Sequence, residues 1–112
     1  MARYLISFDD GWMTFPKEDL PAVGAAANAV AQEAMDAGVW VFGGGLHYYK
    51  TVSVVDVDGT VRDGPPEEKA YIGGFSVLEV ASREEALAWA AKIAAACRCA
   101  QEVREFVPGS AP

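Results

Sequence analysis

Over residues 3–8 the chain alternates so that Tyr4, Ile6 and Phe8 share one face, and β-branched and aromatic side chains dominate. The pattern predicts a strand, closed by the turn residues Asp9-Asp10-Gly11. From about Asp19 to Ala37 the period becomes helical, with Val23, Ala27, Val30, Ala34 and Ala37 recurring on one stripe. Asp19 is placed to cap this helix, Pro21 suits its first turn and Gly38 its exit. Because the stripe is rich in Ala, the helix is expected to lie close against a sheet. Val39–Phe42 predicts a strand with Trp40 and Phe42 on one face, running into Gly43-Gly44-Gly45. Thr51–Val57 and Thr60–Arg62 flank Asp58-Gly59, which predicts a two-residue hairpin turn with φ > 0 at both positions. Asp63-Gly64-Pro65-Pro66 then opens a loop of about ten residues. Gly74–Val80 reads as a strand, and Ser82 with Glu85 forms a capping box ahead of a helix reaching about Ala96. Its apolar stripe is Ala86, Trp89, Ala90, Ile93 and Cys97, and Glu102–Phe106 is a last strand.

With the hairpin set aside, the order is βαββαβ, the split βαβ of a ferredoxin-like α+β sandwich. Both helices then cover one face of an antiparallel sheet. Several strands are apolar on both faces: Leu5 opposes Ile6, Val41 opposes Phe42, and Val77 opposes Leu78. A half-solvated sheet would alternate polar with apolar. A second sheet from another copy of the chain is therefore expected to pack on the first, giving a homodimer that forms a dimeric α/β barrel. Residues 1–107 read as one α+β domain and 108–112, Pro-Gly-Ser-Ala-Pro, as a flexible tail.

Charge narrows the partners. Lys and Arg number 9 against 16 Asp and Glu, a net −7, so phosphate backbones are repelled and nucleic acid is not an expected partner. No apolar run approaches about 18 residues, so no membrane segment is expected. Residues 1–8 lack a signal-peptide apolar core, and two cysteines are too few for a disulfide scaffold; both point to the cytoplasm.

The run DGPPEEKAYIGGF, which holds Asp63-Gly64-Pro65, Glu68-Lys69 and Gly73-Gly74-Phe75, resembles the signature of the DGPF, or YCII-related, family. Glu84–Ala90 resembles that family's second helix and Glu102-Val103-Arg104 its closing strand; the Ala-Gly end of the first helix and Gly44-Gly45-Leu46 also fit. Pro66 stands where the family usually carries Phe, and the loop is one residue shorter. The resemblance implies a small dimeric α/β-barrel protein of a kind mostly without assigned activity, often encoded beside alternative sigma factors. A related branch includes a dehydrochlorinase with a His and Asp pair. Its His lies in another segment than His47, so no catalytic His is carried over.

Candidate chemistry is sparse. His47, the single histidine, follows the glycine run and precedes Tyr48 and Tyr49; it is either a general acid/base oriented by a carboxylate or a loop residue. Asp63 serves the turn and is a candidate catalytic carboxylate. Glu79 shares a strand face with Phe75 and Val77, where a barrel lining would raise its pKa. About six residues separate His47 from the position opposite Asp63, about 20 Å of extended strand, so a pair needs a fold-back at residues 48–50 or a contact across the dimer. Tyr49, Lys69 and Tyr71 are candidate substrate-binding residues, Lys69 alternatively forming a solvated ion pair with Glu68. The triple glycine lacks the spacing and following helix of a phosphate loop and reads as a close backbone approach. Cys97-x-Cys99 with one His completes no zinc shell, so no metal and no cofactor are expected. The leading expectation is a homodimeric small-molecule-binding barrel. Two alternatives are a lyase or hydrolase using His47, Asp63 or Glu79, and a non-catalytic regulatory partner of a transcription factor.

Overall fold

In the computed structural model, which describes residues 1–112, the elements run β1 (Ala2–Asp9), α1 (Leu20–Asp36), β2 (Trp40–Gly45), β3 (Ser53–Val55), β4 (Val61–Asp63), β5 (Ile72–Val80), α2 (Arg83–Cys97) and β6 (Glu102–Glu105). Single 3₁₀ turns occupy Lys17–Asp19 and Tyr49–Thr51. Four strands make one antiparallel sheet in the order β2-β5-β1-β6. The predicted α+β class holds, and the order is compatible with a ferredoxin-like fold. The β3–β4 hairpin forms a separate two-stranded sheet.

Register explains the core. Tyr4 pairs with Leu78, Ile6 with Ser76 and Ala2 with Val80, so these side chains share the face toward the helices. They meet Ala34 of α1 and Ala86 and Ala90 of α2 in one cluster. Ile6, Leu78 and Val80 are fully buried, each contributing about 1.5–3 kcal/mol relative to exposure. The α2 capping box forms: the Glu85 backbone N–H donates to Ser82 Oγ at 3.2 Å. Glu85 Oε2 in turn accepts from the Ala81 N–H at 2.9 Å, one residue earlier than the motif requires.

Four expectations change in detail. A bulge between Trp40 and Phe42 shifts the β2 register, so Trp40 pairs with Leu78 on the helix face while Phe42 pairs with Val77 on the opposite face. The hairpin turn is not the two-residue type. The Gly59 N–H donates to the Asp56 carbonyl and the Asp56 N–H to the Thr60 carbonyl, and only Gly59 has positive φ, +88°. That is a three-residue loop, Val57-Asp58-Gly59, with Gly in the left-handed position. Asp58 Oδ1 accepts from the Thr60 N–H, which holds its carboxyl below the usual range.

Asp19 does not cap α1. It sits in a 3₁₀ turn and pairs instead with Arg98 at 2.8 Å. Arg98, just past α2, is the one non-glycine residue with positive φ, +57°. Glu33 pairs with Lys92, so α1 is tied to α2 by two exposed ion pairs. The close approach of the Ala stripe to the sheet holds only at its C-terminal end, where Ala34 is in the core. Ala27 and Ala31 stay half-buried beside a cavity of about 430 Å³ between α1 and the sheet.

The other sheet face carries Leu5, Phe42, Phe75 and Val77, with Arg3 paired to Glu79 at 3.6 Å. Nothing in the chain covers it. The molecule is a plate 19 Å thick, one sheet and one helix layer. Its 7368 Å² of accessible surface is about 1,400 Å² more than the roughly 5,950 Å² expected of a compact monomer of this mass. At the other end of the chain, a turn over residues 107–110 is closed by the Ser110 N–H on the Val107 carbonyl. Arg3 Nη1 donates to the Pro112 carbonyl oxygen at 3.0 Å.

Gly43 is packed directly against the backbone of the neighbouring strand. A Cβ there would lie 2.7 Å from the Phe75 carbonyl oxygen and 2.9 Å from Trp40 Cη2, whereas one on Gly44 meets nothing within 4 Å. Gly43→Ala should lower stability by about 1–3 kcal/mol, while Gly44→Ala stays within about 0.5 kcal/mol. Thermal denaturation of the pair checks this, and equal losses would assign the effect to strand propensity.

A second prediction concerns alkali. Burial, then the Glu105 carboxylate 3.5 Å from its hydroxyl, raises the Tyr4 pKa above the ordinary value. The neutral phenol is thus favoured in the folded state. Its contribution is complete below the unfolded pKa of about 10 and is lost as pH rises through the higher folded value. Denaturant titrations across that window should show Tyr4→Phe losing less stability with pH than the parent; parallel curves would remove Tyr4 as the cause.

Candidate functional site

The β1–α1 connection, the segment after β2 and the loop before β5 converge at one end of the sheet. Asp10 ties them: its N–H donates to the Tyr71 carbonyl and its Oδ2 accepts from the Tyr49 N–H, both at 2.8 Å. The signature glycines make room for these approaches. A Cβ on Gly73 would lie 2.9 Å from Asp10 Oδ1, and one on Gly74 would lie 2.7 Å from the Phe8 ring.

The result is a cleft of about 740 Å³ lined by Trp12, Tyr49 and Tyr71, the lysines 50 and 69 and the carboxylates of Asp9, Asp10, Glu67 and Glu68. The three candidate binding residues Tyr49, Lys69 and Tyr71 lie in it together. The Tyr49 and Tyr71 rings stack with centroids 5.5 Å apart, and Lys69 Nζ stands 5.1 Å above the Tyr71 ring. Tyr48 packs edge-on to Tyr49 at 4.7 Å. The expected Lys69–Glu68 ion pair is absent: the three ion pairs of the chain are Arg3–Glu79, Glu33–Lys92 and Asp19–Arg98. Lys50 and Lys69 therefore carry ammonium groups free to meet a ligand. A hydrogen bond with Tyr48, then burial and the charges of Glu68 and Asp10, raises the Tyr49 pKa. Its phenol is a donor at neutral pH.

The three candidate catalytic residues are not brought together within the chain. His47 is exposed between β2 and the Tyr49–Thr51 turn. The chain does turn there, yet neither a hydrogen bond nor an ion pair joins His47 to a carboxylate. Asp63 lies opposite Ser53, one of the two positions, Ser53 or Val54, that the spacing allows, and its Oδ1 accepts from Ser53 Oγ at 2.7 Å on the exposed hairpin. Glu79 shares the bare sheet face with Phe75 and Val77, half-exposed and paired with Arg3. It borders a cavity of about 320 Å³ with Glu105 and Phe106 that neither His47 nor a tyrosine reaches.

Cys97 and Cys99 are free thiols. Burial raises both pKa values, and Cys97 adds to the rise at Cys99, so both are poor nucleophiles at neutral pH. No group of three His, Cys, Asp or Glu side chains is close enough to hold a metal ion, and no helix is long and apolar enough to cross a membrane. Trp40 and Trp89 pack against the core, while Trp12 lines the cleft.

Sequence reasoning missed Asp9, Asp10, Trp12 and Lys50. Asp9-Asp10-Gly11 carries the signal of a turn, and Gly11 does take φ +90°. The one hint of a second role is two adjacent acids at a strand end, where one suffices for the turn.

Among curated proteins there is no significant match to this chain. Residues 13–108 match the YCII-related domain, a span that holds the Asp63-Gly64-Pro65 turn, the Gly73-Gly74 approach and most of the cleft. The chain belongs to the YCII-related domain family.

Proposed function

We propose that this protein is a homodimer that binds a small polar organic molecule with a flat face in the Tyr49–Lys69–Tyr71 cleft. The convergence of two stacked tyrosines and two unpaired lysines in one concavity carries the reading. The tyrosines offer a flat apolar surface and phenolic hydrogen bonds, and the ammonium groups answer carbonyl or acidic oxygens. The dimer rests on the bare apolar face: the excess of about 1,400 Å² per chain exceeds the roughly 800 Å² per partner of a standard interface. Two such faces packed together give the barrel expected from the alternation. An acid–base enzyme would have to assemble His47 with a carboxylate from the second subunit, since Asp63 and Glu79 already answer Ser53 and Arg3. A regulatory partner role has one observation in its favour, the exposed valines 55, 57 and 61 of the hairpin.

The test has two arms. Light scattering at micromolar concentration should give about twice 11.9 kDa, and Phe42→Glu, on a side chain 63 % exposed in the single chain, should give a folded monomer. A monomeric parent would overturn the barrel. A thermal-shift screen of small polar organic molecules should yield ligands that stabilise the parent but neither Lys69→Ala nor Tyr71→Ala. A screen without hits, or hits indifferent to both variants, would overturn the cleft.

A further inference from the structure

The cavity between α1 and the sheet is separate from the tyrosine cleft and has the opposite chemistry. Both its walls are short of side chain: Gly24, Ala27 and Ala31 on α1 face Gly43 and Gly44 on β2. The cavity is partly open to solvent and measures about 430 Å³, within the range of small-molecule sites. Phe8, Phe15 and Trp40 supply aromatic surface, and no charged residue lines it.

Three polar side chains interrupt the apolar wall: Asn28, Gln101 and, on the sheet side, Ser76. Ser76, only 8 % exposed, lies on the helix face of β5 between Ile6 and Gly43 and lines the cavity. Its hydroxyl has no hydrogen-bond partner in the chain, and it is not sealed off, since no fully enclosed side-chain N or O lacks a partner. A hydroxyl that lines the cavity without a partner in the chain is left for solvent or a ligand to satisfy.

We propose that this cavity is a second binding site, for a neutral and largely apolar molecule, aromatic or alicyclic, whose hydroxyl or carbonyl bonds to Ser76. A charged ligand would lose hydration with no counter-charge to meet. An apolar one displaces poorly held water from aromatic walls. The site needs neither the dimer nor the tyrosine cleft.

Naphthol, neutral and aromatic with one hydroxyl, is the probe. Titrated into the labelled protein, it should shift the backbone amide resonances of Ser76, Gly44 and Ala27. Ala27→Leu and Ala31→Leu, which fill the void, should each weaken binding at least tenfold while keeping or raising the melting temperature. Ser76→Ala should weaken it about fivefold, the worth of one neutral hydrogen bond. Tyr71→Ala, which empties the cleft, should leave naphthol binding unchanged, so the two sites fail separately. Absence of shifts at these amides would overturn the proposal, whether the Met13–Phe15 loop or a second copy fills the space. So would shifts confined to Leu5 and Val77 on the bare face, or binding to both filled variants as tight as to the parent.

Discussion

Strand β5 is hydrogen-bonded along both edges and apolar on both faces, so it needs two covers, and the chain supplies one. Its even-numbered residues, Gly74 to Val80, face the helices; Phe75 and Val77 face outward beside Leu5 and Phe42. The hydrophobic effect is indifferent to which molecule removes the second face from water. A short chain with two helices has no further element to spend there, since its one remaining structured piece, the β3–β4 hairpin, stands apart from the sheet. The alternation of a single strand thus leaves an apolar face that the chain itself does not cover.

Much of this was readable from period alone. Tyr4-Ile6-Phe8, the Ala86–Cys97 stripe and the Ser82–Glu85 box are local patterns, and they formed where the spacing put them. What was not readable depends on partners far along the chain. The Trp40–Phe42 split comes from a bulge set by the register against β5. Asp19 looks like a cap until α2 delivers Arg98 beside it. Asp58-Gly59 is compatible with two turn types, and the register of Val55 with Val61 chose the longer one.

The site divides the same way. Tyr49, Lys69 and Tyr71 come from segments that follow different strands, and the gap between them is closed by the Asp10 hydrogen bonds, the Leu46 N–H on the Gly73 carbonyl and the Tyr49–Tyr71 stack. Charge alone misled: Glu68-Lys69 suggests an ion pair in one dimension, whereas in three the lysine lies over an aromatic face. The glycines of the family signature prove to be packing residues. Each vacates the volume that a side chain from the β1 end occupies, which couples the signature loop to the strand far from it in sequence.

The two ion pairs that hold α1 have a consequence for motion. Glu33–Lys92 and Asp19–Arg98 join helix to helix at the surface, whereas the contact of α1 with the sheet is interrupted by the cavity beneath it. Exposed pairs of this kind hold weakly and are screened as ionic strength rises. The helix beside the cavity is therefore held partly by its core contacts through Val23 and Ala34 and partly by pairs that salt weakens. Solvent ions, acting on side chains outside the cavity, thus bear on how firmly its helical wall is held against α2.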